Sequence, residues 1–331
     1  MNIGGPRFAA LVGSLGAAFV GTALVLTPAS ARADEGGAGF WLPGQMGSLA
    51  AAPSDPGLSL PVIYYHASQE ASVAHDFEIG LHVQAGLNAD ADLLMLAPSY
   101  VFSTPVLGGQ AAAGITTYAG HLKVDVDAVL TGPGGTPVIG AGTSDSLDGV
   151  GDLYPTASLK WNHGVHNFMV YTMAGVPVGS YNVNDLANLG VNHWSLDGGG
   201  GYTYLDPEKG HEFTAVLGFT YNWENHTTDY RNGDTAHLDW AASQFLSERL
   251  HVGVAGYFYE QLTGDSGSGA ALGGFESRVA GVGPQIGYLV PVGDQKWYVN
   301  LKAFDEFDAK NRPSGWNAWL VVVIPLTHPS R

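Results

Sequence analysis

The sequence lacks cysteine and is poor in charged residues. None of its 331 residues is Cys, and Asp, Glu, Lys and Arg together make up 13%, about half of their usual share in soluble domains. The absence of Cys excludes disulfide bonds and fits a protein that is exported to an oxidising compartment. Low charge combined with 47 Gly, 8 Trp, 15 Tyr and 13 Phe is unusual for a soluble domain of this length.

Basic residues are especially scarce. The chain has 13 Lys and Arg against 30 Asp and Glu. Residues 1–33 contain Arg7 and Arg32 and no acidic residue, so the remaining chain has a net charge of 11 − 30 = −19. Because an acidic surface repels phosphate backbones, we expect no nucleic-acid partner.

Long apolar runs are also missing after the N-terminus. Residues 1–33 are typical of a secretory signal peptide, with Arg7, an apolar stretch over residues 8–26 and small residues at Ala31-Arg32-Ala33 before Asp34. The alternative is an uncleaved anchor. The later run Leu320–Leu326 is too short for a membrane helix and contains Pro325. An exported chain with no spanning helix predicts a location in the bacterial outer membrane.

Alternation of apolar and polar side chains is the dominant pattern that is present, and residues 211–223 show it most clearly. One face carries Phe213, Ala215, Leu217, Phe219, Tyr221 and Trp223, and the other carries Glu212, Thr214, Val216, Gly218, Thr220 and Asn222. This period of two indicates a strand with one face in an apolar medium.

Similar stretches recur along the chain and predict an all-β fold, a transmembrane antiparallel barrel of about twelve strands. The predicted strands are 74–86, 91–103, 111–130, 151–162, 165–178, 194–205, 211–223, 235–246, 249–262, 276–290, 296–306 and 316–326. Short connections alternate with longer ones, which is typical of periplasmic turns and external loops. Residues 131–150 are predicted to be an external loop, and residues 87–90 the first turn. The barrel is expected to span residues 71–331.

Residues 34–70 are rich in Gly, Pro and Ala and are expected to be irregular. They are too apolar for a solvated tail, so we expect a segment that lies in the barrel mouth or lumen. A periplasmic extension is the alternative. The last strand, 316–326, is predicted to close against the first, because an open edge in lipid leaves backbone groups unpaired.

Charged side chains on the polar faces are expected to point into the lumen, since a lysine at the bilayer midplane costs about 2–4 kcal/mol. The same rule places the charges of 121–127 inside. The residues expected to line the lumen are Lys160, Asp197, Glu212, His237, Asp239, His251, Tyr257, Tyr259, Tyr298 and Lys302. They indicate either a polar conduit or a set of ion pairs that rigidifies the barrel. A soluble barrel with apolar residues inside is the structural rival.

Several motifs are shared with one bacterial family. They are Phe40-Trp41-Leu42-Pro43-Gly44-Gln45 with Leu60-Pro61 and Tyr64-Tyr65, Gly151-Asp152-Leu153-Tyr154-Pro155, Asp197 to Tyr204 with Gly210-His211-Glu212, Tyr221-Asn222 with Thr228 and Tyr230, and Gly283-Pro284-Gln285. With them the chain resembles the family of outer-membrane proteins described as "Putative MetA-pathway of phenol degradation". The resemblance implies an outer-membrane barrel associated with the entry of aromatic or other hydrophobic compounds.

The combined prediction is an outer-membrane channel without a cofactor or metal that admits small hydrophobic or aromatic compounds. Its expected partners are outer-membrane lipid, the solute and the barrel-assembly machinery, which recognises terminal strands such as 316–326. The alternative is a non-conducting structural or adhesive barrel whose loops bind partners. No G-x-S-x-G motif occurs, and His163 with His166 supply two metal ligands at most. We therefore expect no enzymatic activity.

Overall fold

The computed structural model describes residues 40–76, 82–131, 137–270 and 274–327. The strands are β1 (Gly57–Asp76), β2 (His82–Leu96), β3 (Ser99–Val101), β4 (Gln110–Thr131), β5 (Pro137–Val150), β6 (Tyr154–His163), β7 (His166–Gly175), β8 (Ser195–Asp206), β9 (His211–Asn222), β10 (Thr235–Phe245), β11 (Leu250–Gln261), β12 (Arg278–Val292), β13 (Gln295–Lys310) and β14 (Ser314–Pro325). Within these ranges no helix is long and apolar enough to cross a membrane.

The strands form a closed antiparallel barrel with twelve wall positions. Two positions are each filled by two segments. β3 continues β2 beyond Ala97 and Pro98, and β6 continues β5 beyond residues 151–153. The predicted all-β barrel of about twelve strands is therefore confirmed.

The barrel closes between its first and last strands, as predicted. β1 pairs with β14 from Ser59 opposite Pro325 to Glu70 opposite Ser314. This pairing joins the first and last strands of the wall, which is the requirement for a sheet surrounded by lipid.

The wall strands turn apolar side chains outward, and β9 shows the rule at each step. Its outward residues are exposed, apart from the half-buried Ala215, and they alternate with buried residues from one end to the other. Phe219 on the outer side is 54% exposed, whereas Val216 on the inner side is fully buried. A wall with its apolar side chains outside is the arrangement of a transmembrane barrel and the reverse of a soluble one.

Connection lengths distinguish the two ends of the barrel. The turns after β6, β8, β10 and β12 are short. The connections after β7, β9 and β11 are longer and consist of residues 176–194, 223–234 and 262–277. We call the end with the long connections the outer end and the other the periplasmic end, following the general rule for such barrels.

The N-terminal strands are where the predicted boundaries are wrong. β1 begins at Gly57, so residues 57–70 are wall rather than irregular segment, and the predicted turn at 87–90 lies inside β2. The sequence signal is weak here because β1 is apolar on both sides. Tyr64 is exposed on the outer side, and Tyr65 is buried inside. The predicted signal peptide, residues 1–33, lies outside the described residues and stays a prediction.

Residues 137–150 are also wall and not loop. β5 pairs with β4 from Ala119 opposite Val150 to Thr131 opposite Pro137. With β1 and β2 they form a sheet that continues past the outer ends of β6 and β7. We call this sheet the outer extension, and it consists of residues 66–76, 82–92, 119–131 and 137–150.

In the outer extension the polar side chains face outward and the apolar ones inward, the reverse of the rest of the wall. The prediction that the charges of 121–127 face the lumen is therefore wrong. The charged residues of β4 face outward, where His121 Nδ1 lies 2.9 Å from Asp148 Oδ1 and Lys123 Nζ lies 2.7 Å from Asp125 Oδ2. The inner face of this stretch carries Leu122 and the buried Val124. These charges contact water, not the lumen, because this part of the wall lies beyond the apolar belt.

Candidate functional site

The barrel interior contains a segment of the chain's own N-terminal region. Residues 40–56, which we call the lumen segment, run from the outer half of the barrel to its periplasmic end. Phe40 packs against Tyr154 near the outer end of β6, with ring centroids 5.5 Å apart. Ser54 exchanges hydrogen bonds with Gln110 at the periplasmic start of β4.

The middle of the lumen segment is held by one acidic and one basic side chain. The Asp239 carboxylate accepts hydrogen bonds from the backbone N–H groups of Gly44 and Met46, at 3.0 and 2.9 Å. From β13, the Lys302 ammonium donates to the carbonyl groups of Gly44, Gln45 and Met46. Both side chains are almost fully buried. Charge-assisted bonds of this kind are among the stronger ones in proteins.

A second set of contacts holds the periplasmic half of the lumen segment. Ser48 Oγ donates to Glu212 Oε2 at 2.8 Å and lies 3.0 Å from Ser243 Oγ. The Leu49 N–H donates to Glu212 Oε1 at 3.1 Å. Lys160 Nζ donates to the carbonyl of Ala52 at 3.1 Å.

An aromatic residue fixes the outer half. The indole of Trp41 stacks on the imidazole of His237, with ring centroids 3.5 Å apart and planes at 16°. His237 Nε2 lies 2.9 Å from Asp197 Oδ2, and Thr220 Oγ1 donates to the same oxygen at 2.6 Å. The pair of His237 and Asp197 is completely buried.

Glycines in the wall give the inward-facing rings room to lie flat. Gly218 pairs directly with His237, and Gly287 pairs directly with His251. A Cβ on Gly218 would lie 2.5 Å from the His237 ring, and one on Gly287 would lie 1.9 Å from His251 Nε2. Each glycine therefore serves as a socket for the ring on the neighbouring strand.

The outer half of the interior is lined by apolar and aromatic side chains. At its inner limit, level with Lys302, Tyr65 packs against Trp319, with ring centroids 4.5 Å apart, and both are buried. Tyr118 and Tyr154 stack nearly in parallel, at 9°. The cluster also includes Leu93, Met95, Leu122 and Leu147. This lining continues onto the inner face of the outer extension.

All ten residues expected in the lumen lie on inward-facing positions of the wall. They are Lys160, Asp197, Glu212, His237, Asp239, His251, Tyr257, Tyr259, Tyr298 and Lys302, and most of them are buried. Their part in passing a solute stays a prediction. The structure gives several of them another task, because Lys160, Glu212, Asp239 and Lys302 hold the lumen segment.

One of the two alternatives was a set of lumenal ion pairs, and among the described interior residues neither Lys160 nor Lys302 forms a salt bridge with an acidic side chain. Lys160 and Lys302 bond to backbone carbonyl groups, and Asp197 Oδ2 lies 2.9 Å from His237 Nε2. His251 Nε2 lies 3.0 Å from the Tyr298 hydroxyl, and the Tyr257 hydroxyl donates to Glu306 at 2.7 Å.

Several residues that contact the lumen segment were missed by sequence reasoning. Thr203 accepts from the N–H of Ala51 at 3.1 Å, and Gln285 donates to Ser48 Oγ at 2.9 Å. Gln110 contacts Ser54. Alternation places Thr203 and Gln285 on the inner face, but uncharged side chains gave no signal that would have separated them from ordinary wall residues.

Above the interior, Asp152 anchors the connection 176–194. Its buried carboxylate accepts hydrogen bonds from the N–H groups of Val178, Gly179 and Val191, at 2.9, 2.6 and 2.9 Å. Burial raises the pKa of Asp152, and the three backbone donors oppose that shift. Among the described residues no group of three or more His, Cys, Asp or Glu side chains is placed to hold a metal ion.

Comparison with known families gives one match that covers most of the chain. The family model described as "Putative MetA-pathway of phenol degradation" matches residues 72–321. No curated protein sequence matches the chain.

Among solved structures, the fold is similar to that of the COG4313 outer membrane channel from Pseudomonas putida F1. The TM-score is 0.65 at 16% identity, and the match covers 83% of this chain and 97% of the other. A Pseudomonas aeruginosa FadL homologue matches with a TM-score of 0.42 at 9% identity, over 91% of this chain and 98% of the other. The first of these supports the barrel fold, and the second is too distant to carry an argument.

Proposed function

As a member of the family described as "Putative MetA-pathway of phenol degradation", the chain is an outer-membrane barrel, and we propose that it is a channel for the passive uptake of small hydrophobic or aromatic compounds. The solved structure that it resembles is named an outer membrane channel, which supports a transport role. The family description supports aromatic compounds as the solute class.

The observation that carries the proposal is the apolar lining of the outer half of the interior. A solute that enters from outside meets Leu122 and Leu147 on the inner face of the outer extension and then the rings of Tyr65 and Tyr118. An aqueous pore for sugars or ions has a polar interior instead. Apolar walls favour solutes that gain free energy by leaving water.

The width of the barrel supports the same solute class. Twelve strands give a lumen between the side-chain-filled interior of eight-stranded barrels and the wide channels of porins. The lumen segment occupies part of that space. A flat ring therefore fits more easily than a bulky hydrated solute.

Flux into liposomes tests the proposal. Purified mature protein, reconstituted into phosphatidylcholine vesicles, is expected to speed the entry of phenol or toluene relative to empty vesicles, with little effect on glucose. The variant Leu93→Asn, which places a polar group in the buried outer lining, is expected to slow aromatic entry. Lys123→Gln on the outer face of the same sheet serves as the control. Equal aromatic flux with and without protein would reject the channel.

One observation favours a second function, a non-conducting structural or adhesive barrel. The lumen segment is bonded to seven strands of the wall, β4, β6, β8, β9, β10, β12 and β13. A permanently seated segment would leave the external connections as the working surface. The same vesicle experiment separates the two functions, because a structural barrel carries no flux.

A further inference from the structure

A cavity lies outside the lumen, at the outer ends of β7, β8 and β9. Its volume is about 440 Å³, and Pro177, His193, Trp194, Trp223, Glu224 and His226 line it. Trp194 and Trp223 are 53% and 44% exposed. Both continue the outward-facing series of their strands, so the cavity opens on the lipid-facing side at the level of the outer interface.

Hydrogen bonds between two connections build this cavity. Asn192 Nδ2 donates to Asn225 Oδ1 at 2.8 Å and to Thr227 Oγ1 at 2.9 Å, which joins residues 176–194 to 223–234. The Trp223 N–H donates to the carbonyl of Trp194 at 2.9 Å. The two indole-bearing residues are therefore held side by side by the backbone.

A neighbouring aromatic cluster fixes the orientation of one indole. Trp223 meets the Tyr221 ring edge to face, with centroids 4.8 Å apart and planes at 81°. The guanidinium of Arg231 lies 4.6 Å from the centroid of that Tyr221 ring. An indole held in this way offers a preformed surface for another ring.

The chemistry of the walls determines the ligand class. Two indoles and Pro177 provide apolar surfaces, Glu224 provides an acceptor, and the His226 ring provides a donor or an acceptor. The volume falls in the range of small-molecule sites, about 300–1,000 Å³. Compounds that combine a ring with a polar group concentrate at membrane interfaces, as Trp and Tyr side chains do.

We propose that this cavity binds a monocyclic aromatic compound that carries a hydroxyl group, before that compound enters the lumen. The ring would lie against Trp194 and Trp223, and the hydroxyl would donate to the Glu224 carboxylate. The inference rests on the proposed function for the origin of the ligand, but it concerns a separate site on the outer wall. Binding in this cavity would raise the concentration of the solute next to the protein at the membrane surface.

Equilibrium dialysis of radiolabelled phenol against the mature protein in dimyristoylphosphatidylcholine nanodiscs tests the site. Saturable binding is expected for the wild type, with affinity reduced about tenfold or more in the double variant Trp194→Ala with Trp223→Ala. Trp316→Ala is the matched control, because Trp316 is also an outward-facing indole on the wall and is 48% exposed. Heat-modified gel mobility verifies that each variant is folded.

Two further arms identify what the cavity recognises. Glu224→Gln is expected to weaken phenol binding and to leave toluene binding unchanged, since toluene lacks the hydroxyl. Hexanol is expected to displace radiolabelled phenol poorly. If hexanol displaced it as well as unlabelled phenol does, the cavity would also bind alkyl chains and the proposal would be overturned. Phenol binding that is the same in the double variant and in Trp316→Ala would also overturn it.

Vesicle flux distinguishes failure of this site from failure of the channel. Binding without any protein-dependent phenol entry would reject the proposed function and leave the cavity as a binding site. Entry without saturable binding would reject the cavity site and leave the channel.

Discussion

The Trp41 indole lies flat on the His237 imidazole, 3.5 Å between ring centroids, so a residue of the lumen segment is stacked on a residue of the wall. Asp197, which accepts a hydrogen bond from Thr220, contacts the His237 ring, and Gly218 provides the space that this ring occupies. The outer half of the lumen segment is thus seated on a prearranged surface. Under the proposed function, the stability of this contact between the lumen segment and the wall would control passage through the barrel.

Replacement of Trp41 by Ala is expected to open the lumen. The variant loses the stacking surface and the buried indole, and truncations of this size cost about 3–5 kcal/mol in well-packed sites. Single-channel recording in planar bilayers should show higher ion conductance than the wild type. Trp316→Ala, which removes an outward-facing indole, is expected to leave conductance unchanged. Conductance equal to the wild type in Trp41→Ala would contradict this account of the seat.

The substitution Lys302→Met is expected to release the middle of the lumen segment. It removes the donor for three carbonyl groups, and hydrogen bonds to charged groups contribute about 1.5–3 kcal/mol each. Hydrogen exchange of the Gly44 and Met46 amides should become faster, because their bonds to Asp239 then open more often. Lys296→Met, an exposed lysine on the same strand, is the control. Unchanged exchange at both amides would contradict the role given to Lys302.

The wall was predictable where its two sides meet different surroundings. The alternation over 211–223 predicted β9 within a residue at each end, because lipid on one side and polar groups on the other give strong contrast. β1 was missed since Tyr64 faces the apolar surroundings and Tyr65 packs against Trp319, so both faces are apolar. The sequence of β5 predicts a loop instead of a strand because its outward face meets water and not lipid.

The sequence predicts which way the side chains of the site point, but not which groups they bind. The alternation of polar and apolar residues along each strand predicts that Lys302 and Asp239 point toward the interior. Their partners come from Gly44 to Met46, and Gly44 is 258 residues from Lys302 in sequence. Backbone N–H and carbonyl groups are present at every residue, so no residue type marks them as ligands. Only the folded chain shows that the lumen segment fills the space between these two side chains.

A lysine on the lipid-facing side of β9 is expected to destabilise the barrel. Leu217 lies near the middle of the strand and is exposed on the outer side. Leu217→Lys should lower the free energy of unfolding by about 2–4 kcal/mol, whereas Leu246→Lys, in a periplasmic turn, should lower it by about 0–1 kcal/mol. Urea titration in phospholipid vesicles, followed by tryptophan fluorescence, measures both. Equal losses at the two positions would contradict the assignment of the membrane belt.

A disulfide between the lumen segment and the wall tests whether this segment moves during transport. Ser48 Oγ lies 3.0 Å from Ser243 Oγ, a separation from which paired cysteines can reach bonding distance with small adjustments. Because the chain contains no Cys, Ser48→Cys with Ser243→Cys introduces only this pair. Under oxidising conditions we expect phenol entry into vesicles to fall to the level of empty vesicles, and reduction should restore it.

The single variants Ser48→Cys and Ser243→Cys separate the effect of the bond from that of the substitutions, since neither can form the disulfide within one chain. Both are expected to transport equally under oxidising and reducing conditions. If the oxidised double variant carries phenol at the reduced rate, the solute passes beside a stationary segment. In that case the contacts of Ser48 with Glu212 and Ser243 are structural supports of the barrel and not parts of a gate.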